Sequence, residues 1–208
     1  MHGAVLGSKH SREDYNAVMN YARITPPSVK ENYVDIAGGD SSIDLTEAVG
    51  GVVFEDGKIS FKFTLFCEKD KDRMKNDLHG KRLKITLERE PDFYYEGRLS
   101  FTGESMLGTL YELNLDARVK PYKMENQITI HEEEINAPKD ILLINERMPA
   151  MLTITARGNI KVTYEGNSYE LKTGIYEIPE ITLRDGLNRL HVSGDGSVRL
   201  EYRKGRII

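Results

Sequence analysis

The chain has 208 residues, with 29 Lys+Arg against 33 Asp+Glu and a net charge of −4, enough for one large domain or two small ones with ordinary cores. Charged residues make up 30% and apolar residues 39%, no apolar run nears the roughly 18 residues needed to span a membrane, and the single cysteine excludes an intrachain disulfide framework or a cysteine-based metal cage. From Glu133 onward acids and bases balance at 11 each, so the negative charge lies before it, and neither part has the basic excess that phosphate-backbone binding needs.

The opening MHGAVLGSKHSRED lacks the basic and then apolar regions of a secretory signal, so cytoplasmic synthesis is expected. Ser11-Arg12-Glu13-Asp14 reads as a capping-box start to about one helical turn. Next comes NYVDIAGGDSSIDLTEAVGG (Asn32 to Gly51): a short apolar strand (Tyr33, Val34, Ile36), a Gly-Gly-Asp turn, and a polar loop closed by Gly50-Gly51. It contains no nucleophile–base pair, metal-ligand spacing or phosphate-cradling loop. Its length and polarity suggest an ordered loop lying on another surface. Asp40 and Asp44 could pair as carboxylates for acid–base work, but loop carboxylates far more often form turns by accepting backbone N–H bonds.

Period-2 alternation dominates the chain from Ile59, as in half-buried antiparallel strands. Ile59, Phe61, Phe63, Leu65 and Cys67 share one face, which makes Cys67 a buried free thiol. KDKDRMKNDLHG reads as the one good helix, with Met74 and Leu78 at i, i+4, acids Asp70 and Asp72 at its start and Gly80 at its end. It is expected to pack across a face or edge of the sheet. His79 is a last-turn histidine favoured by the helix dipole. Leu83, Ile85 and Leu87 form the next apolar face. In Asp92-Phe93-Tyr94-Tyr95-Glu96-Gly97-Arg98 aromatic rings fall on both faces of a strand. The second face is covered either by the Met74/Leu78 helix or by another subunit, since Tyr and Arg are enriched at interfaces. Tyr95, Leu99 and Phe101, and then Tyr111, Leu113, Leu115, Ala117 and Val119, continue the alternation.

HEEEINAPKD (His131 to Asp140) is charged, aperiodic and contains a proline, and reads as a linker. Beyond it Ile160, Val162 and Tyr164 alternate, Glu165-Gly166-Asn167 turns the chain, and Tyr169 and Leu171 resume. Leu190 and Val192 face Val198, Leu200 and Tyr202 across Ser193-Gly194-Asp195-Gly196-Ser197. Both patterns read as β-hairpins. The expected fold is all-β and mainly antiparallel. Residues 1–132 form an N-terminal β-sandwich or barrel-like domain with one helix, 133–140 a linker and 141–208 a small C-terminal β-sandwich.

No catalytic residue, cofactor or metal emerges from the motifs. His2, His10, His79, His131 and His191 stand in unrelated contexts, none at the i, i+4 spacing of a zinc helix. There is no Gly-x-Ser-x-Gly elbow, Walker loop or dinucleotide fingerprint. Tyr164, Tyr169 and Tyr176 keep a carbohydrate-binding β-sandwich module as a second reading. With no tryptophan in the chain and polar residues alternating beside them, the tyrosines fit core positions better.

Several of these elements, in order, resemble the N-terminal domain of the distal tail proteins of long-tailed bacteriophages. They are the Ser11-x-x-Asp14-Tyr15 turn, Pro26-Pro27 leading into NYVDIAGGDSSIDLTEAVGG, the Ile59–Phe66 strand, the helix ending Leu78-His79-Gly80-Lys81, the Pro91–Arg98 block and YELNLDARVKPYK (Tyr111 to Lys123). ITLRDGLNRLHVSGDGSVRLEYRKG (Ile181 to Gly205) is similar to the small sandwich that comes next in short members, and is too short for the larger carbohydrate-binding insertions of others. The resemblance implies a structural protein of a virion or prophage tail, not an enzyme. It implies a ring, hexameric in the family, at the distal end of the tail tube, with the tube protein and the hub and receptor-binding proteins as partners. No sequence-specific nucleic-acid contact and no membrane is expected. Asp40, Ile43 and Leu45 in the loop, and Phe93, Tyr94 and Arg98 in the strand, are the expected subunit-contact residues.

Overall fold

The computed structural model describes residues 3–48 and 50–208. The chain is 63% strand and 8% helix in antiparallel sheets, the all-β class expected. It divides into two compact units: the residues up to Lys123 together with Ile207–Ile208, and Met124–Arg206.

The first unit contains β1 (Ala4–Leu6), β2 (Lys9–His10), α1 (Ser11–Tyr15), β3 (Val18–Thr25), β4 (Tyr33–Asp35), β5 (Ser42–Asp44), β6 (Gly57–Leu65), α2 (Glu68–Leu78), β7 (Arg82–Leu87), β8 (Phe93–Leu107) and β9 (Leu110–Val119). β10 (Tyr122–Glu125) begins in this unit. Its main sheet runs in the order β2-β1-β7-β8-β9-β6-β3. Alternation decides what is buried. Ile59, Phe61, Phe63 and Leu65 from β6 meet Leu113, Leu115, Ala117 and Val119 from β9 and Ile85, Leu87, Tyr95 and Leu99 from β7 and β8. Met74 and Leu78 of α2 belong to the same cluster, so the helix covers the inner face of the sheet. α2 starts with Glu68 and Asp70, which suit the positive end of the helix, and is released at Gly80, whose φ of +75° admits glycine readily.

Two local expectations are corrected here. The N-cap of α1 is His10, not Ser11. His10 Nδ1 accepts the Glu13 N–H at 3.3 Å, while the Asp14 carboxylate accepts the His10 N–H at 2.7 Å. Ser11 is buried and its hydroxyl accepts the Ala4 N–H instead. Cys67 is exposed, because the β6 pairing stops at Leu65 and the chain turns into α2. Its thiol donates to Asp70 at 3.1 Å.

The second unit contains β11 (Thr129–Ile135), β12 (Lys139–Asn145), β13 (Ala150–Tyr164), β14 (Asn167–Leu171), β15 (Gly174–Leu183) and β16 (Gly186–Tyr202), and β17 (Gly205–Ile207) begins in it. The structure differs from the linker expected over residues 133–140. β11 runs to Ile135, β12 starts at Lys139, and the division of the chain falls after Lys123. The acids of β11 hid its period. Ile135 alone is fully buried, while Glu132 is held by Arg199 at 2.7 Å and Glu133 by Lys139. The hairpin expected across Ser193–Ser197 is likewise absent. β16 is one strand, paired with β13 without interruption from Thr153 opposite Glu201 to Thr163 opposite His191. Gly158, Gly194 and Gly196 sit at the middle of this pair with φ of +89°, +123° and +144°. A Cβ on Gly196 would lie 1.9 Å from the Arg157 carbonyl, so only glycine permits the approach. The three glycines lie at one level of the two long strands. β11 and β15 flank one half, β12 and β14 the other, and a single core from Ile135 to Tyr202 fills the fold. The Tyr164–Asn167 hairpin forms as expected, with Glu165 and Gly166 both at positive φ (47° and 87°), the two-residue turn that matches strand twist.

Candidate assembly surfaces

Residues 26–56 leave the sheet after β3 and return at β6, whose strands are neighbours with Thr25 opposite Lys58. This arm, Val49 apart, is ordered by its own backbone: Lys30 N–H donates to Val53 O at 2.8 Å, Glu55 N–H to Ser28 O at 2.9 Å and Leu45 N–H to Asn32 O at 2.7 Å. At its end β4 and β5 pair as a two-stranded hairpin with Tyr33 opposite Asp44 and Val34 opposite Ile43. All six strand residues are exposed, and Val34, Ile36 and Ile43 each keep nearly half their surface in water. Isolated two-stranded hairpins are marginal in water, and clustered exposed aliphatics mark contact surfaces.

The six expected contact residues fall on two elements. On the arm, Asp40 lies in the bend of the hairpin, Ile43 in β5 and Leu45, half-buried, just beyond it. Asp44 behaves as a turn former. Thr46 donates to it from its backbone N–H at 2.9 Å and from its hydroxyl, and Tyr33 adds a further bond, holding its carboxyl below the usual range. On β8, Phe93 and Tyr94 point to opposite faces. Lys123 Nζ stands 4.8 Å from the Phe93 ring and Lys84 Nζ 4.1 Å from the Tyr94 ring, within cation–π range. Because α2 covers the face that holds Tyr95, the Tyr94 face is not covered by the helix. Arg98 shares that outer face, is exposed, and donates to the Gly80 carbonyl at 2.5 Å.

Two surfaces escaped the sequence reading. Arg82, Arg98, Arg118 and Lys58 are cross-strand partners on β7, β8, β9 and β6. They are 60 residues apart at the extremes, so no linear motif announces them. The β8–β9 hairpin ends at Gly108 with Met106 and Leu107 about two-thirds exposed. Its only sequence signal is the apolar pair after alternation lapses at Glu104-Ser105. Among the tyrosines of the second unit, Tyr164 is buried and bonded to Asn188 and the Thr182 carbonyl, and Tyr169 and Tyr176 pack against the core. Tyr169 and Tyr176 remain partly exposed. His2 lies outside the described residues. Among the described residues no three His, Cys, Asp or Glu side chains converge as metal ligands, and no helix is long and apolar enough to cross a membrane.

The two-unit, all-β architecture with one packed helix is the fold of a phage distal tail protein of the hub adsorption apparatus. Among solved structures the chain is similar to the crystal structure of Dit (gp 19.1) of phage SPP1, described as a paradigm of the hub adsorption apparatus in phages that infect Gram-positive bacteria. The match has a TM-score of 0.71 and 14% sequence identity, and covers 100% of both chains. No protein-family model and no curated protein matches the sequence. At that identity the likeness establishes the fold, which is the one implied by the sequence resemblance.

Proposed function

We propose that this protein is a structural component of a phage or prophage tail, located in the virion at the distal end of the tail tube. Copies assemble into a ring, a hexamer, that joins the tube protein to the hub and receptor-binding proteins. Its work is assembly, with no chemistry of its own. The full-length fold match to a hub adsorption-apparatus protein carries this reading. The exposed arm supports it, because an ordered hairpin with aliphatics in water gains stability only by being covered. Ring closure needs two different surfaces of the chain to meet, and the arm with Asp40, Ile43 and Leu45 and the β8 face with Tyr94 and Arg98 supply two. Phe93, on the other face of β8, belongs to the same strand contact.

The native mass of the purified protein tests it. Six chains of 23.7 kDa give a particle of about 142 kDa. A hexamer, or a smaller oligomer that converts to one on concentration, is the expected result. A strict monomer at high concentration refutes self-assembly of the free protein.

A further inference from the structure

The outer face of the first unit's sheet carries a row of cations that its own acids only partly offset. Arg82, Arg98, Arg118 and Lys58 stand directly opposite one another, one cation per strand across four neighbouring strands. Like charges directly opposite destabilise a sheet unless counter-charges stand beside them. Neighbouring positions of the same face add Arg23, Lys62, Lys84 and Lys120 and contain three acids, Glu96, Glu112 and Asp116. Those acids are engaged: Glu96 by Lys120 (2.5 Å) and Arg82 (3.3 Å), Asp116 by Lys58 (2.7 Å), Glu112 by Lys62 (3.0 Å); and Arg118 is held by Asp56, just before β6, at 2.6 Å. Arg98, in the middle of the row, has no ion-pair partner among the described residues, and bonds the Gly80 carbonyl. The row lies in a concavity of about 900 Å³. With strands roughly 4.8 Å apart, it is about 14 Å long.

The arm has the opposite character. From Glu31 to Glu47 it carries Glu31, Asp35, Asp40, Asp44 and Glu47 and no Lys or Arg. Register places Asp35 and Asp44 on one face of the β4–β5 hairpin and Val34 and Ile43 on the other. Asp35, Asp40 and Asp44 at the end of the arm are all exposed, whereas its base reaches the row of its own chain, where Asp56 bonds Arg118.

We propose that the acidic face of one copy's arm docks on the Arg82–Arg98–Arg118–Lys58 row of the next copy. This rests on the ring reading above and names the surface that receives the arm. Arm and row are different surfaces of one chain. Each copy therefore gives one and accepts one, which is the heterologous contact a closed ring requires. The charges set the register and direction of that contact, as complementary potentials do at interfaces, and leave the aliphatic face of the hairpin for a second contact.

A charge swap tests the pairing. One full-length variant carries Arg82→Glu and Arg98→Glu, the other Asp35→Lys and Asp40→Lys, and the native mass of each is followed against concentration at low salt. Each variant alone is expected to associate at least about tenfold more weakly than wild type. An equimolar mixture is expected to recover association, because each variant's arm then meets a row of opposite sign. Arg98→Gln and Asp40→Asn, gentler changes, should shift association the same way by less if a reversed chain fails to fold. Wild type that oligomerises while both swaps leave its association unchanged overturns the pairing and leaves the ring standing. Wild type that stays monomeric at every concentration overturns both. If the Arg variant instead keeps its oligomer but loses retention of a duplex oligonucleotide in a gel-shift assay, the row serves nucleic acid and the proposal fails.

Discussion

The second unit depends on three glycines that hold two long strands closer than any side chain allows, and a graded alanine series measures this. Gly51 has no positive φ and nothing within 4 Å of the point a methyl group would occupy, so Gly51→Ala should change stability by less than about 0.5 kcal/mol. Gly166 also faces open space but has φ of +87°, which Ala disfavours by about 1–2 kcal/mol. Gly196 combines φ of +144° with a Cβ only 1.9 Å from the Arg157 carbonyl and 3.1 Å from the Gly158 Cα. Backbone strain of about 1–3 kcal/mol and an overpacking cost of about 1–3 kcal/mol then add to roughly 2–6 kcal/mol. In a unit of this size 1 kcal/mol moves the melting temperature by about 4–8 °C. Gly196→Ala should therefore lower it by at least about 8 °C in thermal unfolding followed by circular dichroism or calorimetry, with Gly166→Ala intermediate. If Gly196→Ala melts within about 2 °C of wild type, the strands have room to part, and their close approach does not depend on glycine.

Tyr94 and Arg98 lie on the outer face of β8, so Tyr94→Ala with Arg98→Ala should weaken oligomerisation while lowering the melting temperature by only a few degrees. Equal loss of both would place them in the core. Replacing residues 31–47 by a short Gly/Ser linker should abolish assembly and leave the melting temperature nearly unchanged, since those residues contribute nothing to either core cluster; circular dichroism together with light scattering separates the two effects. Glu104 receives bonds from Lys75 (2.6 Å) and Lys71 (2.9 Å), which hold its carboxyl below the ordinary value of 4.5. A depressed folded-state value stabilises above the unfolded value and is lost as pH falls through the folded one. Melting temperature should therefore fall below about pH 4.5, less steeply in Glu104→Gln than in wild type. Cys67, exposed at the start of α2, should react with Ellman's reagent in the native protein as a single thiol per chain; protection until unfolding would contradict its placement.

The sequence was most legible where alternation is strict. Ile59 to Leu65, Leu113 to Val119 and the Met74/Leu78 helix stripe all lie where the period puts them, because burial of one face is what selects those residues. It misled where a residue type has two structural uses. Gly194-Asp195-Gly196 has the composition of a hairpin turn, and a single sequence cannot separate a turn from a close backbone approach within a continuous strand. That difference is made by Gly158 and Arg157, some 38 residues earlier, which meet Gly196 only once the strands pair. Glu132 and Glu133 read as part of a solvated linker because the arginine and lysine that hold them lie on other strands. Of the contact surfaces, the arm was visible as a long polar loop with stray aliphatics. The Arg row was not, since it exists only in the register of four strands.

The exposed apolar residues of the arm are not overflow from an incomplete core. The first unit closes its interior with Ile59, Phe61, Phe63, Leu65 and Leu99, all at or below 1% exposure, before the arm is counted. A chain that has satisfied its own burial gains nothing by also presenting Val34, Ile36 and Ile43 to water on a hairpin of its own. Such residues raise the free energy of the isolated protomer and lower that of an assembly, so they set a concentration above which association is favoured. Arg98, which has no ion-pair partner among the described residues, acts in the same direction, since an arriving acidic surface would pair it. Aliphatic burial is insensitive to salt, whereas the charge pairing is screened within a Debye length of about 8 Å at physiological ionic strength. Raising salt should thus weaken assembly of the wild-type protein without abolishing it. Complete insensitivity would assign the whole contact to the aliphatic face.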